Sequence, residues 1–173
     1  IDHLRNRTNC EIIVSSEEKL LGTAGALKNS EQQIISSEFL VMNGDTFIEF
    51  KVRKLIGTKE DHIGSILVCE QQDTSNCGAV QINGNNMVID FAEKVKRGEP
   101  GLVNAGRYYL SRRILDYIPD SQPYSIEHDL LPEIIINEGL VASKVESALI
   151  DIGTPDGLLG ADRFFSGGTD HSC

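Results

Sequence analysis

The chain has 173 residues, 40% of them hydrophobic and 24% charged, which suits one well-cored domain of globular type and leaves too little for two. Its 26 acidic residues against 16 basic give a formal charge of -10, with no Lys/Arg cluster longer than a pair, so direct binding to a nucleic-acid backbone is not expected. No apolar run approaches the roughly 18 to 20 residues of a membrane span, and the opening IDHLRNRTNC has no signal-peptide pattern, so no membrane contact is expected and the cytoplasm is the expected compartment.

The chain opens on Ile1 rather than Met, as a processed, truncated or incomplete sequence would, and a short polar stretch leads into CEIIVS, read as a strand. TAGALKNSEQQIIS has helical spacing, with Ala24, Leu27, Ile34 and Ile35 apolar. FLVMNGD is an apolar run that stops at Asn43-Gly44-Asp45. Such a run, followed at once by turn residues, fits a strand covered on both faces as in a parallel sheet, with Asp45 at its C-terminal edge. In open α/β sheets ligands bind outside that edge; the plain alternative is a turn and nothing more. A short helix around Val52 to Ile56 and a strand in HIGSILVCEQ come next.

GAVQING, NMVIDFAEK and LVNAGRYYLS read as short strands set off by Gly and Asn, with NGNN as a hairpin turn. A helix is expected from Ser111 to Tyr117 and another over HDLLPEIIINEG, interrupted early by Pro132. Strands in LVASKVES and ALIDIG and a closing helix TPDGLLGADRFF complete the order, with Thr154 as N-cap and Pro155 at the first helical position. The whole is one mixed α/β domain over residues 1–173, with an antiparallel insertion in its second half. Cys10, Cys69, Cys77 and Cys173 form no C-x-x-C pair and the histidines add no metal-ligand spacing, so neither a zinc site nor a disulfide framework is expected.

LIDIG repeats the pattern of FLVMNGD: an apolar strand runs into a carboxylate, Asp151, followed by Gly153 and a helix start. Two aspartates that each end such a strand can meet at one sheet edge, and paired hard oxygen ligands hold Mg²⁺ together with water and phosphate oxygens. The alternative for Asp151 is an interaction with the dipole of the following helix. Gly22, Thr23, Ala24 and Gly25 lie between a strand and a helix, where small residues let the backbone approach a flat ligand.

LGTAGAL, FLVMNGD, CGAV, FAEK, VNAGRYYL and LIDIGTPD, taken together and in this order, resemble the sugar-1-phosphate nucleotidylyltransferases, most nearly the D-glycero-α-D-manno-heptose 1-phosphate guanylyltransferase type. The resemblance runs from about Cys10 to Phe165. It implies a Rossmann-like α/β/α sandwich of the nucleotide-diphospho-sugar transferase type with a small antiparallel β-region. It also implies a reaction in which a sugar-1-phosphate oxygen attacks the α-phosphorus of an NTP, giving an NDP-sugar and pyrophosphate. Position by position, it makes Asp45 and Asp151 the Mg²⁺ ligands and matches Gly22, Thr23 and Ala24 to the turn that contacts the nucleobase. Lys94 matches a lysine that meets the sugar phosphate, and Gly78, Glu93, Asn104 and Gly106 match the sugar pocket. For Lys94 the alternative is a solvated strand-end lysine; for the pocket residues it is turn and hairpin roles.

Glu17 stands where relatives that use uracil or thymine commonly present a glutamine. Guanine shows N1-H and N2-H₂ side by side, two donors that an acceptor-only carboxylate takes together, so Glu17 suits GTP; its alternative is an exposed acid at a strand end. Two departures bear on the resemblance. The family's GGxGTRL loop and its Pro-Lys are absent, which implies that at least one βαβ unit of roughly 30 residues precedes Ile1 and that this polypeptide alone is a poor catalyst. Leu20 stands where proline is common. A guanylyltransferase acting on heptose or mannose 1-phosphate leads; a thymidylyl- or uridylyltransferase for a glucose-type phosphate and a non-catalytic nucleotide-sugar-binding or regulatory subunit are the alternatives. The partners implied are the NTP and the sugar 1-phosphate, with association into a homo-oligomer left open.

Overall fold

The computed structural model describes residues 7–56, 62–75, 77–93 and 99–166. In chain order these form α1 (Gly22–Asn29), β1 (Glu38–Met42), β2 (Thr46–Phe47), α2 (Val52–Leu55), β3 (Gly64–Gln71), β4 (Gly78–Ile82), β5 (Val88–Glu93) and β6 (Gly101–Ser111). A 3-10 helix (Arg112–Tyr117) and a π-helical turn (Ile126–Leu130) lead into α3 (Leu131–Asn137), β7 (Leu140–Val145), β8 (Ile150–Asp151) and α4 (Pro155–Ser166). Among the described residues no helix is long and apolar enough to cross a membrane.

The main sheet runs β5-β4-β6-β3-β7, with β1 also paired to β6. β3 lies between an antiparallel β6 and a parallel β7, and its residues Gly64 to Cys69 are all buried. Because successive side chains point to opposite faces, Ile66 and Val68 join one core with Tyr108 and Leu110, covered by the helical residues Ala24, Ile114 and Ile134. Leu67 and Cys69 join a second core with Val103 and Ala105, covered by Ile48 and by Leu55 of α2. Helical segments thus cover both faces of the sheet, which is the α/β/α sandwich expected.

The both-faces burial expected of FLVMNGD belongs to β3 instead. In β1, Phe39 and Val41 are half-buried against the first core, while Leu40 and Met42 are 40% and 59% exposed. The reason is position: β1 pairs antiparallel with β6, and among the described residues no strand flanks its other edge. CEIIVS is not a strand either. Ile13 and Val14 face solvent, and no described strand lies alongside to complete a ladder. The helix expected over TAGALKNSEQQIIS ends at Asn29. There Ser30 turns its hydroxyl back to the Ala26 carbonyl (3.0 Å), and the bonds tighten to the i→i+3 type at Ser30, Glu31, Gln33 and Ile34. The NGNN hairpin forms as expected, closed by Asn83 N–H to Met87 O (2.9 Å) with Asn86 at φ 59°.

Candidate active site

The site grows from an irregularity in β6. Between the pairs Ile66–Tyr108 and Val68–Asn104, the single residue Leu67 faces three, Ala105 to Arg107. The bulge is made by Gly106 at φ +64°, and a Cβ there would lie 2.6 Å from Asn43 Nδ2, so glycine serves both the backbone turn and the close approach of the Asn43 loop. Asn43 N–H donates to Gly106 O at 2.9 Å. On that edge of β6, β4 pairs only at Val103 and β1 begins at Arg107, which leaves room for the loop between them.

That loop carries Asp45. β2 then pairs antiparallel with β8, with Thr46 opposite Asp151, and Ile152 N–H donates to Asp45 O at 2.8 Å. The two carboxylates meet over Gly153. A side chain starting there would stand 3.1 Å from Asp151 Oδ1 and 3.3 Å from Asp45 Oδ2. Gly153 N–H donates to Asp151 Oδ1 at 2.8 Å, and Thr46 Oγ1 donates to Asp45 Oδ1 at 3.2 Å. The start of α4 is pressed onto the same strand: Thr154 Oγ1 accepts from Gly157 N–H at 3.1 Å, as an N-cap does, and a Cβ on Gly157 would overlap the Asp151 carbonyl.

Two exposed, acceptor-only carboxylates around a point kept clear by glycine fit a hard divalent cation that retains waters and takes phosphate oxygens. They do not make a full protein cage. Among the described residues no group of three or more His, Cys, Asp or Glu is gathered for a metal.

The remaining expected residues fall into two places. Gly78 sits opposite Glu93 across β4 and β5, and Val103, beside Asn104, pairs with Ala79. Cys77, next to Gly78, lies close enough to Asp151 to feel its charge: burial pushes the thiol up from its ordinary value, and Asp151 and Asp73 push it further. Asn104 is buried and fully engaged. Its Oδ1 accepts from Gly106 N–H at 2.9 Å, and its Nδ2 donates at 2.7 Å to both Tyr108 Oη and Glu127 Oε1. Burial raises the Tyr108 phenol far above its usual range. Lys94 lies outside the described residues.

On the other side, Gly22 (φ +70°) starts α1, and a Cβ there would stand 2.7 Å from Tyr124 O, which accepts from Ala24 N–H and Gly25 N–H at 2.9 and 3.1 Å. Thr23 Oγ1 accepts from Ile126 N–H at 2.8 Å. The smallness of this turn therefore serves a close approach to the chain's own 124–126 segment. Glu17 Oε2 accepts from Leu21 N–H at 3.0 Å, and Glu17 lines an open cleft of about 590 Å³ with Leu21, Gly25, Lys28 and Asn29. Asp45 and Asp151 do not line that cleft. A hydrogen-bonded path nevertheless joins the two places, from Thr23 through the Ile126–Glu127 turn to Asn104, Gly106 and the Asn43 loop.

Three contributors escape sequence reading. Glu127 meets Asn104 only through the fold, and Gly157 looks like an ordinary weak point in a helix. Arg107 did carry a signal, as the one charge within LVNAGRYYL. It is 7% exposed; Nη1 donates to Asn43 O (3.1 Å) and Gly106 O (2.9 Å), and Nη2 donates to Thr46 O. Burial pushes its guanidinium down from the ordinary value, and the negative charge of Asp45 opposes that.

A family model described as nucleotidyl transferase matches residues 2–166. The chain belongs to the nucleotidyl transferase family. The mannose-1-phosphate guanylyltransferase catalytic subunit beta of Drosophila melanogaster is 31% identical over 153 residues, covering 86% of this chain and 41% of the relative. Mannose-1-phosphate guanylyltransferase 1 of Arabidopsis thaliana is 32% identical over 151 residues, covering 84% and 42%. HddC from Yersinia pseudotuberculosis, solved complexed with GMP-PN, is similar in structure with a TM-score of 0.74 and 34% identity, over 86% of this chain and 64% of that one. The chain spans about two fifths of the length of these curated relatives. The fold they share is the Rossmann-like sandwich of the nucleotide-diphospho-sugar transferases.

Proposed function

We propose that the polypeptide carrying this chain is a cytoplasmic enzyme that transfers a nucleotidyl group from an NTP, by preference GTP, to a sugar 1-phosphate of heptose or mannose type, with residues 1–173 belonging to a single catalytic domain. A phosphate oxygen of the sugar 1-phosphate attacks the α-phosphorus of the NTP. The bond from that phosphorus to the β,γ-pyrophosphate breaks, and NDP-sugar and pyrophosphate leave. The observation that carries this reading is the meeting of Asp45 and Asp151 over Gly153 in a chain of this family.

Asp45 and Asp151 are the residues that would hold Mg²⁺, whose charge offsets the repulsion between two anionic substrates and stabilises charge that develops in an in-line displacement. The chain's own groups bind and orient. Glu17 accepts the paired donors of guanine at the rim of the cleft beside α1, and the Gly22–Ala24 turn lies under the base. Gly78, Glu93 and Gly106 are assigned to the sugar pocket, whose backbone Asn104 orients through its bond to Gly106 N–H, and Lys94 is assigned to the sugar phosphate. The names of the relatives, guanylyltransferases for mannose 1-phosphate, support the choice of base and sugar class over a thymidylyl or uridylyl reading.

The test is product analysis on the natural full-length polypeptide. With GTP, Mg²⁺ and mannose 1-phosphate or a heptose 1-phosphate, mass spectrometry should find GDP-sugar and pyrophosphate in equal amounts, lost with EDTA and restored by Mg²⁺. Binding of GTP with no product from any of the four NTPs and a panel of sugar 1-phosphates would show a nucleotide-binding subunit instead.

A further inference from the structure

Asp45 is held in place by a group that is not itself a ligand. The flanking carbonyls of its turn, Asn43 O on one side and Thr46 O on the other, both accept from the guanidinium of Arg107. The same group takes Gly106 O, inside the β6 bulge. One rigid planar fork thus ties both ends of a turn to the strand beneath it, and at 7% exposure water has little access to replace those bonds. We infer that Arg107 is a positioning residue for the cation site, fixing the Asn43–Thr46 turn so that the Asp45 carboxylate meets that of Asp151 over Gly153. The inference rests on the reading of Asp45 and Asp151 as cation ligands.

A fixed positive charge beside Asp45 repels an incoming cation, so removal of the charge alone would tighten cation binding. Removal of the staple acts the other way. The part-buried carbonyls of Asn43 and Thr46 lose their Arg107 donor, the turn relaxes to hydrate them, and Asp45 leaves register with Asp151. Groups that orient a ligand from behind typically change metal affinity by about 10 to 100-fold when removed. Positioning therefore outweighs repulsion, and the neutral variant binds a cation more weakly although it carries one positive charge fewer. Lysine keeps the charge but offers a compact ammonium in place of a fork, and it falls between the two.

The experiment is titration of Mn²⁺ into the natural full-length protein, followed by electron paramagnetic resonance of free Mn²⁺, for the wild type, Arg107→Met, Arg107→Lys and Asp45→Asn. Melting curves of the metal-free forms accompany it. The expected result is a Kd for Arg107→Met raised about tenfold or more, an intermediate value for Arg107→Lys, and a loss in the folded protein that its melting temperature does not account for. Equal or tighter Mn²⁺ binding by folded Arg107→Met overturns the inference and leaves the cation site standing. If Arg107→Met does not fold, Arg107→Lys decides, and an affinity equal to wild type overturns it. Wild-type protein that binds Mn²⁺ no better than Asp45→Asn overturns the cation site itself, and this inference with it.

Discussion

β3 and β8 both continue apolar runs of the sequence, yet they do opposite work. β3 has Gly64 to Cys69 buried, is paired on both edges and feeds two cores. β8 is two residues long, paired on one edge to β2, half-exposed at Ile150 and exposed at Asp151. The core strand is fixed by burial. The site strand is fixed by local devices instead: the Asp45–Ile152 bond, the glycine seat of α4 and the Arg107 staple on the facing turn. Stability and site geometry are therefore held by different residues, and substitutions should separate them.

The largest effect on folding should come from β3. Ile66→Ala removes a fully buried side chain and should lower stability by about 2 to 5 kcal/mol. Denaturant titration measures this, and Mn²⁺ affinity of the folded fraction should stay at the wild-type value. A parallel loss of cation binding would mean that core and site are one unit.

Gly157→Ala tests the opposite end. Helix preference alone favours alanine by about 1 kcal/mol, but the added Cβ meets the Asp151 backbone, which cannot swing away as a side chain tip can. Overpacking of this kind costs about 1 to 3 kcal/mol, so the contact wins. The variant should be slightly less stable by thermal melting and clearly weaker in Mn²⁺ binding. A gain in stability with unchanged binding would show that α4 does not rest on Asp151.

The smallest effect lies away from both strands, at Glu17. Glu17→Gln keeps the size of the side chain and replaces a pure acceptor by a mixed one. It should relax the preference for GTP over UTP and dTTP by about tenfold, since a mismatched polar pair costs on the order of 1 kcal/mol or more, with little change in melting temperature. Competition among the four NTPs reads this directly, and dTTP or UTP as the best substrate of the wild type would remove the guanine assignment.

Much of this division was legible in the chain. Asp45 and Asp151 announce themselves as carboxylates that end apolar runs, and the layered order of helices and strands follows from periodicity. What periodicity could not tell was which apolar run is buried on both faces. FLVM and SILVC look alike, and only the pairing partners, an edge for β1 and a centre for β3, distinguish them. CEIIVS shows the same limit, because a strand requires a neighbour that its own residues do not specify. The small residues of LGTAGAL were read as room for a ligand, and they are also room for Tyr124. Arg107 was readable as a lone charge in an apolar strand, but its partners are carbonyls, which leave no trace in a sequence.

The claim that Asp45 and Asp151 form one cation-binding unit is tested most directly by a double-mutant cycle on nucleotidyl transfer, with Asp45→Asn, Asp151→Asn and the double variant assayed in excess Mg²⁺ for GDP-sugar formation. Loss of charge stabilisation in the transition state should cost each single variant about 100-fold or more in turnover, and groups that act as a unit are far from additive. The account predicts a double variant within a few-fold of the weaker single one. Losses that multiply, or a single variant with near wild-type turnover, would contradict it.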